Sequence, residues 1–159
     1  MNPLDLYHMP YTHSLVGGAV WEAGFAMLIW LVTKSRTAAL LAAVVVLSHW
    51  LLDVLVHVPD MTIAGSPPKL GLSLWNYPLI EMPLELGLIA GSLWLYARTR
   101  KPPRKPFLTL VAVLFALQLF QWFGPADERA GPMLSIMAFA AFAVATLAAW
   151  WAARSEGAH

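Results

Sequence analysis

The chain has 159 residues, 59% of them hydrophobic and 12% charged, about half the charge of an ordinary soluble domain and too little to coat a water-facing globule. Its net charge of +1 leaves no electrostatic footprint for nucleic acid. Cysteine is absent, which excludes disulfides and thiolate zinc sites, so any metal must be held by imidazole, carboxylate or water.

A bilayer-spanning helix needs about 20 mostly apolar residues, and five stretches qualify: 13–32, 37–58, 75–96, 106–123 and 132–153. The expected fold is all-α, a single membrane domain built as a polytopic bundle of about five transmembrane helices. No Lys or Arg precedes Lys34, so the first stretch lacks the basic flank of a cleavable signal peptide and is expected to stay in the mature protein. It carries Gly17, Gly18 and Gly24, and the third stretch carries Gly87 and Gly91 as a GxxxG; such small residues are expected where helices meet. The fourth stretch is the shortest, with Gln118 and Gln121 as expected interhelical hydrogen bonders. The fifth, from Met133 to Ala153, has no ionisable residue.

Alternate connections hold Lys34 and Arg36, then Arg98, Arg100, Lys101, Arg104 and Lys105, then Arg154, against only Lys69 and Arg129 on the other side. By the positive-inside rule the N-terminus is expected outside and the C-terminus in the cytoplasm.

Charges within a bilayer are costly, so intramembrane ionisable residues are functional candidates. In the second stretch His49, Asp53 and His57 recur at i, i+4 and i+8, the spacing at which side chains of one helix face can share a metal. The third adds Glu81 and Glu85, and the first adds His13 at its outer end and Glu22 deeper. With a rise of about 1.5 Å per residue, His13 and His57 fall near the outer boundary, Asp53 and Glu81 somewhat deeper, and His49, Glu22 and Glu85 near the midplane. Three helices are thus expected to place polar groups at matched depths in one cluster. Asp60, after Pro59, is a candidate further partner of the site together with Glu22. His8 and Asp5 are expected to be solvated.

The stretches Tyr11-Thr12-His13-Ser14-Leu15 and Ser48-His49-Trp50-Leu51-Leu52-Asp53 resemble the T-H-S and S-H-x-L-L-D signatures of the YdjM-like family of bacterial inner-membrane proteins, which are classed as metal-dependent hydrolases. The stretches Val56 to Asp60 and Lys69 to Asn76 look like a small bacterial membrane-protein group of similar layout. The resemblance covers residues 8–96. It implies an inner-membrane location, with His13, His49 and Asp53 as the core of a metal site. The chain lacks the additional acidic motif usual near that family's first histidine; His57, Asp60, Glu81 and Glu85 are the residues available to replace it.

Together these features suggest a metal-dependent hydrolase. The metal, zinc by preference, would be held by His13, His49, Asp53 and His57, with Glu81 or Glu85 as general base. Lys69 and Asn76 are placed to orient an anionic headgroup, and an outward-facing intramembrane site suits a lipid or lipid-linked substrate. Ser14 and Ser48 each adjoin a histidine in sequence, but neighbouring helical residues do not face each other, which argues against a serine nucleophile. Buried His, Asp and Glu also fit a proton- or metal-ion-coupled transporter or channel. A haem-binding carrier with His13 and His49 or His57 as axial ligands and an accessory membrane subunit complete the alternatives.

Overall fold

The computed structural model describes Tyr11, residues 13–124 and residues 132–155. The expectations for Asp5, His8, Thr12 and Arg129 lie outside the described residues. Among the described residues five α-helices follow in order: α1 (Leu15–Thr33), α2 (Arg36–Val56), α3 (Pro78–Arg100), α4 (Arg104–Phe123) and α5 (Pro132–Arg154). All five are long and apolar enough to cross a membrane, and the chain is an integral membrane protein.

The helix ends follow local chemistry. Ser14 caps α1, its hydroxyl accepting from the Gly17 N–H at 3.0 Å. Lys34 ends α1 in the left-handed region at φ 55°, its N–H donating to the Trp30 carbonyl. Ser35 then caps α2 by accepting from the Ala38 N–H. Two residues therefore suffice to turn the chain, and α1 and α2 pack against each other. Pro59 stops α2 from running on, since proline has no N–H to donate and excludes α geometry from the residue before it. Proline also opens α3 and α5, at the position where its missing N–H costs nothing.

Between α2 and α3 lies a small hairpin. Strands β1 (Met61–Thr62) and β2 (Lys69–Leu70) pair antiparallel, Met61 opposite Leu70 and Thr62 opposite Lys69. A 3-10 turn over Leu74–Asn76 leads into α3.

The chain divides into two compact units, one reaching to Glu81 and one beginning at Met82. In the second unit Leu110, Ala148 and Ala152 form the buried centre, with Leu93 and Tyr96 of α3 packed against it. Burial elsewhere is inverted relative to a soluble protein. Large apolar side chains such as Val20, Phe25, Leu40, Val44, Leu88 and Phe139 face outward, as lipid-facing helices require. The described buried polar residues, Ser14, Asp53, His57, Asp60, Thr62 and Glu81, all belong to the first unit.

Four of the glycines expected where helices meet stand open. A Cβ built at Gly18, Gly24, Gly87 or Gly91 meets nothing within 4 Å among the described residues. On α3 the reason is angular: Glu85, Ile89, Leu93 and Tyr96 form the partly buried stripe, while Gly87 and Gly91 lie on the exposed side.

Candidate metal centre

The α2 face turned inward is set by helical geometry. Ala43, Trp50 and Asp53 are its buried residues, and His57, the C-terminal cap, continues the same stripe. Each i, i+4 step advances about 400°, so three residues at i, i+4 and i+8 fan out over about 80°. Asp53 and His57 fall within the buried stripe, and His49 falls off its edge.

His13 comes to this face through backbone pairing. The Thr62 N–H donates to the His13 carbonyl at 3.1 Å, the Val16 N–H donates to the Ile63 carbonyl at 2.9 Å, and Ser14 bridges in parallel to Thr62. The other side of the same connection is tied to α2: the Leu72 N–H donates to the Val54 carbonyl at 2.8 Å, and the Ser73 N–H to the His57 carbonyl at 2.7 Å. The hairpin is thus a strap that fastens the start of α1 to the end of α2. Gly71 lets it lie flat, since a Cβ there would stand 2.6 Å from the His57 carbonyl oxygen and closer still to that of Val58.

The result is a compact donor set. His13, Asp53 and His57 each offer a ligand atom, and these atoms lie within 4.8 Å of one another. His13 Nε2 is 4.0 Å from Asp53 Oδ2, and the His13 and His57 rings stand 5.9 Å apart between centroids. His49 Nε2 approaches the same Asp53 oxygen at 3.2 Å, but its side chain is 67% exposed. It touches the cluster from outside while the other three enclose it. Burial holds the His13 imidazole below the usual histidine value, against the opposing pull of the Asp53 carboxylate, so at neutral pH it presents the uncharged, metal-binding form.

Around the cluster, His57 Nδ1 faces Asp60 Oδ2 at 3.3 Å, and Trp75 lies against the His57 ring at 4.3 Å between centroids. Glu81 is fully buried in the same unit. Glu85 is one helical turn along α3 but belongs to the other unit. There its Oε2 accepts from Gln118 Nε2 and, at 2.7 Å, from Trp122 Nε1, which gives Gln118 the interhelical role expected of it; Gln121 is exposed. Glu22 is half-buried on α1, Lys69 is half-buried in β2, and Asn76 is exposed at the end of the 3-10 turn. Ser14 is engaged as a helix cap, and Ser48 donates to the Val45 carbonyl, so neither hydroxyl is set up as a nucleophile.

Trp75, Thr62 and Trp122 are participants that sequence reasoning passes over. A two-residue strand has no periodicity, and a tryptophan near a membrane boundary reads first as an interfacial anchor.

The protein is therefore an integral membrane protein whose first unit encloses a His13–Asp53–His57 cluster compatible with metal binding. No family model matches the chain, and comparison with curated proteins and with solved structures finds no match either. The YdjM-like resemblance rests on its short histidine-containing stretches alone.

Proposed function

We propose that the protein is a membrane-embedded, metal-dependent hydrolase whose ion is held by His13, Asp53 and His57. The observation that carries this is the approach of three ligand atoms, one from the start of α1 and two from the end of α2, to within 4.8 Å of one another. Two imidazoles and a carboxylate suit zinc, whose catalytic sites use three protein ligands and keep a fourth position open. When bound, the ion would supply a hydroxide nucleophile by bringing the pKa of its water to about 7.

The chain's own residues divide the remaining work. Asp53 supplies the negative charge that offsets the ion. His49, which approaches Asp53 Oδ2 from the exposed side at 3.2 Å, would steady that carboxylate by donating to it. Glu81 is favoured over Glu85 as general base, because Glu85 already accepts from Gln118 and Trp122 within the other unit. Lys69 and Asn76, on the strap and the 3-10 turn, would orient an anionic headgroup. The substrate class is a lipid or lipid-linked ester, reached from the non-cytoplasmic side of a bacterial inner membrane.

Orientation with the N-terminus outside is supported by three repeated stacks. Lys34 lies over Trp30 at 5.5 Å, Arg98 over Trp94 at 5.3 Å and Arg154 over Trp150 at 5.1 Å, each at i, i+4 and each at the C-terminal end of an odd-numbered helix. Interfacial tryptophans and snorkelling cations belong at a membrane boundary, and an excess of cations belongs on the cytoplasmic side.

Element analysis of purified protein tests the proposal. Stoichiometric zinc, lost in His13→Ala and His57→Ala, together with hydrolysis of lipid esters in the wild type, is expected. A metal-free wild type would favour the transporter or subunit alternatives, and a Soret band the haem carrier. Tags on both termini should report opposite faces of the membrane.

A further inference from the structure

The metal proposal leaves Asp60 without a task, yet Asp60 is 3% exposed in a chain where buried charge is costly. Its position is closely fixed. Its N–H donates to the Val58 carbonyl at 2.6 Å, and the next residue, Met61, is fully buried in β1. The carboxylate is thereby turned back on the end of α2, where its Oδ2 lies 3.3 Å from His57 Nδ1.

A neutral imidazole carries one proton and one lone pair, and only the nitrogen with the lone pair can bind a metal. In water either nitrogen can hold the proton. A carboxylate facing one of them decides the matter, because it accepts from N–H and repels a lone pair. We infer that Asp60 holds the His57 proton on Nδ1 and so leaves the Nε2 lone pair for an ion shared with His13 and Asp53. The inference rests on the metal reading for its purpose, but not for the tautomer itself.

Two other observations support a fixed ring. Trp75 lies against the imidazole at 4.3 Å, which restrains its plane. The His57 backbone is pinned on both sides, its N–H to the Asp53 carbonyl and its carbonyl to the Ser73 N–H. Rotation about the side chain is then the remaining freedom, and Asp60 removes it. Carboxylate partners of metal-bound histidines act in this way in general, fixing tautomer and direction and raising the basicity of the ligand. Asp60 is accordingly a positioning residue, acting through His57.

The test uses the full-length protein in lipid nanodiscs, labelled with nitrogen-15 at histidine. In metal-free wild type, His57 is expected as the Nδ1–H tautomer. In Asp60→Ala the proton should redistribute towards Nε2, and zinc affinity should fall by about 10–100-fold. Asp60→Asn offers an amide that can accept from or donate to Nδ1, so it should hold the Nδ1–H tautomer less completely than wild type and lose less affinity than alanine does. An Nε2–H tautomer in wild type would overturn the inference. So would an unchanged tautomer in Asp60→Ala, or zinc affinity in that variant equal to that of a zinc-binding wild type. A wild type that binds no zinc but shows the Nδ1–H tautomer, lost in Asp60→Ala, would sink the metal proposal while upholding the role of Asp60 on His57.

Discussion

His13 Nε2 and Asp53 Oδ2 stand 4.0 Å apart, although one residue precedes α1 and the other lies most of the way along α2. A direct hydrogen bond is shorter than this, and two donors on one tetrahedral zinc stand about 3.3 Å apart, so a small inward turn of either side chain would bring both to one ion. Removing Asp53 should therefore act on metal binding before it acts on the fold. Asp53→Ala is expected to lose bound zinc while still inserting, since alanine makes α2 more apolar. Its loss should exceed the 10–100-fold typical of an outer partner. Asp53→Asn keeps the shape without the charge and should bind zinc more weakly than wild type. Calorimetric zinc titration measures both, and full affinity in both variants would remove Asp53 from the ligand set.

Gly71 tests whether the strap is what assembles the cluster. Its added Cβ would overlap the carbonyls of His57 and Val58, which are backbone atoms and cannot rotate aside. Gly71→Ala is expected to push the strap off the end of α2, at a cost of about 1–3 kcal/mol, and to weaken zinc binding although no ligand is touched. Thermal unfolding and zinc titration should move together. Full zinc affinity alongside a lowered Tm would show that the strap stabilises the unit without organising the site.

The sequence makes the spans plain and their ends less so. Apolar runs located all five helices, but α3 continues to Arg100, past the apolar stretch ending at 96, because hydropathy senses the bilayer and not the helix. The i, i+4 spacing brought Asp53 and His57 to one face, and matched depth together with the T-H-S resemblance nominated His13. What the spacing did not convey is angular drift, which leaves His49 exposed at the edge of the stripe. The strap was equally invisible: its strands are two residues long, and their partners are carbonyls that any sequence possesses. Glu81 and Glu85 are the sharpest case. They lie one turn apart on α3, yet Glu81 is fully buried while Glu85 meets donors on α4, and a pattern read along one helix does not say which neighbour each side chain meets.

The partners of Glu85 carry a prediction of their own. Its Oε2 accepts from two donors one turn apart on α4, Gln118 and Trp122, which makes it a clamp between α3 and α4. Interhelical hydrogen bonds in membranes are worth about 0.6–2 kcal/mol each. Glu85→Leu is expected to lower the stability of the α3–α4 pair by that order, measured by unfolding in detergent, with zinc content unchanged. Loss of zinc with unaltered stability would instead return Glu85 to the site.

His13 offers a check that needs no metal. Burial is the largest influence on its imidazole and lowers it from the ordinary 6.5, Asp53 acts against burial, and His57 and His49 act with it. In metal-free protein the His13 resonance is therefore expected to titrate with a midpoint below 6.5. Asp53→Asn removes a negative charge that favours the imidazolium, so the midpoint should move further down. The linked effect on stability has a definite sign. With the folded value below the unfolded one, the unfolded chain takes up the proton first as the solution is acidified. The contribution of His13 is then complete above pH 6.5, is lost as the pH falls through 6.5 towards the folded value, and levels off below it. His13→Gln should flatten that part of the stability profile relative to wild type. A wild-type midpoint at or above 6.5, or an upward shift in Asp53→Asn, would mean that His13 is not enclosed beside Asp53 in the membrane.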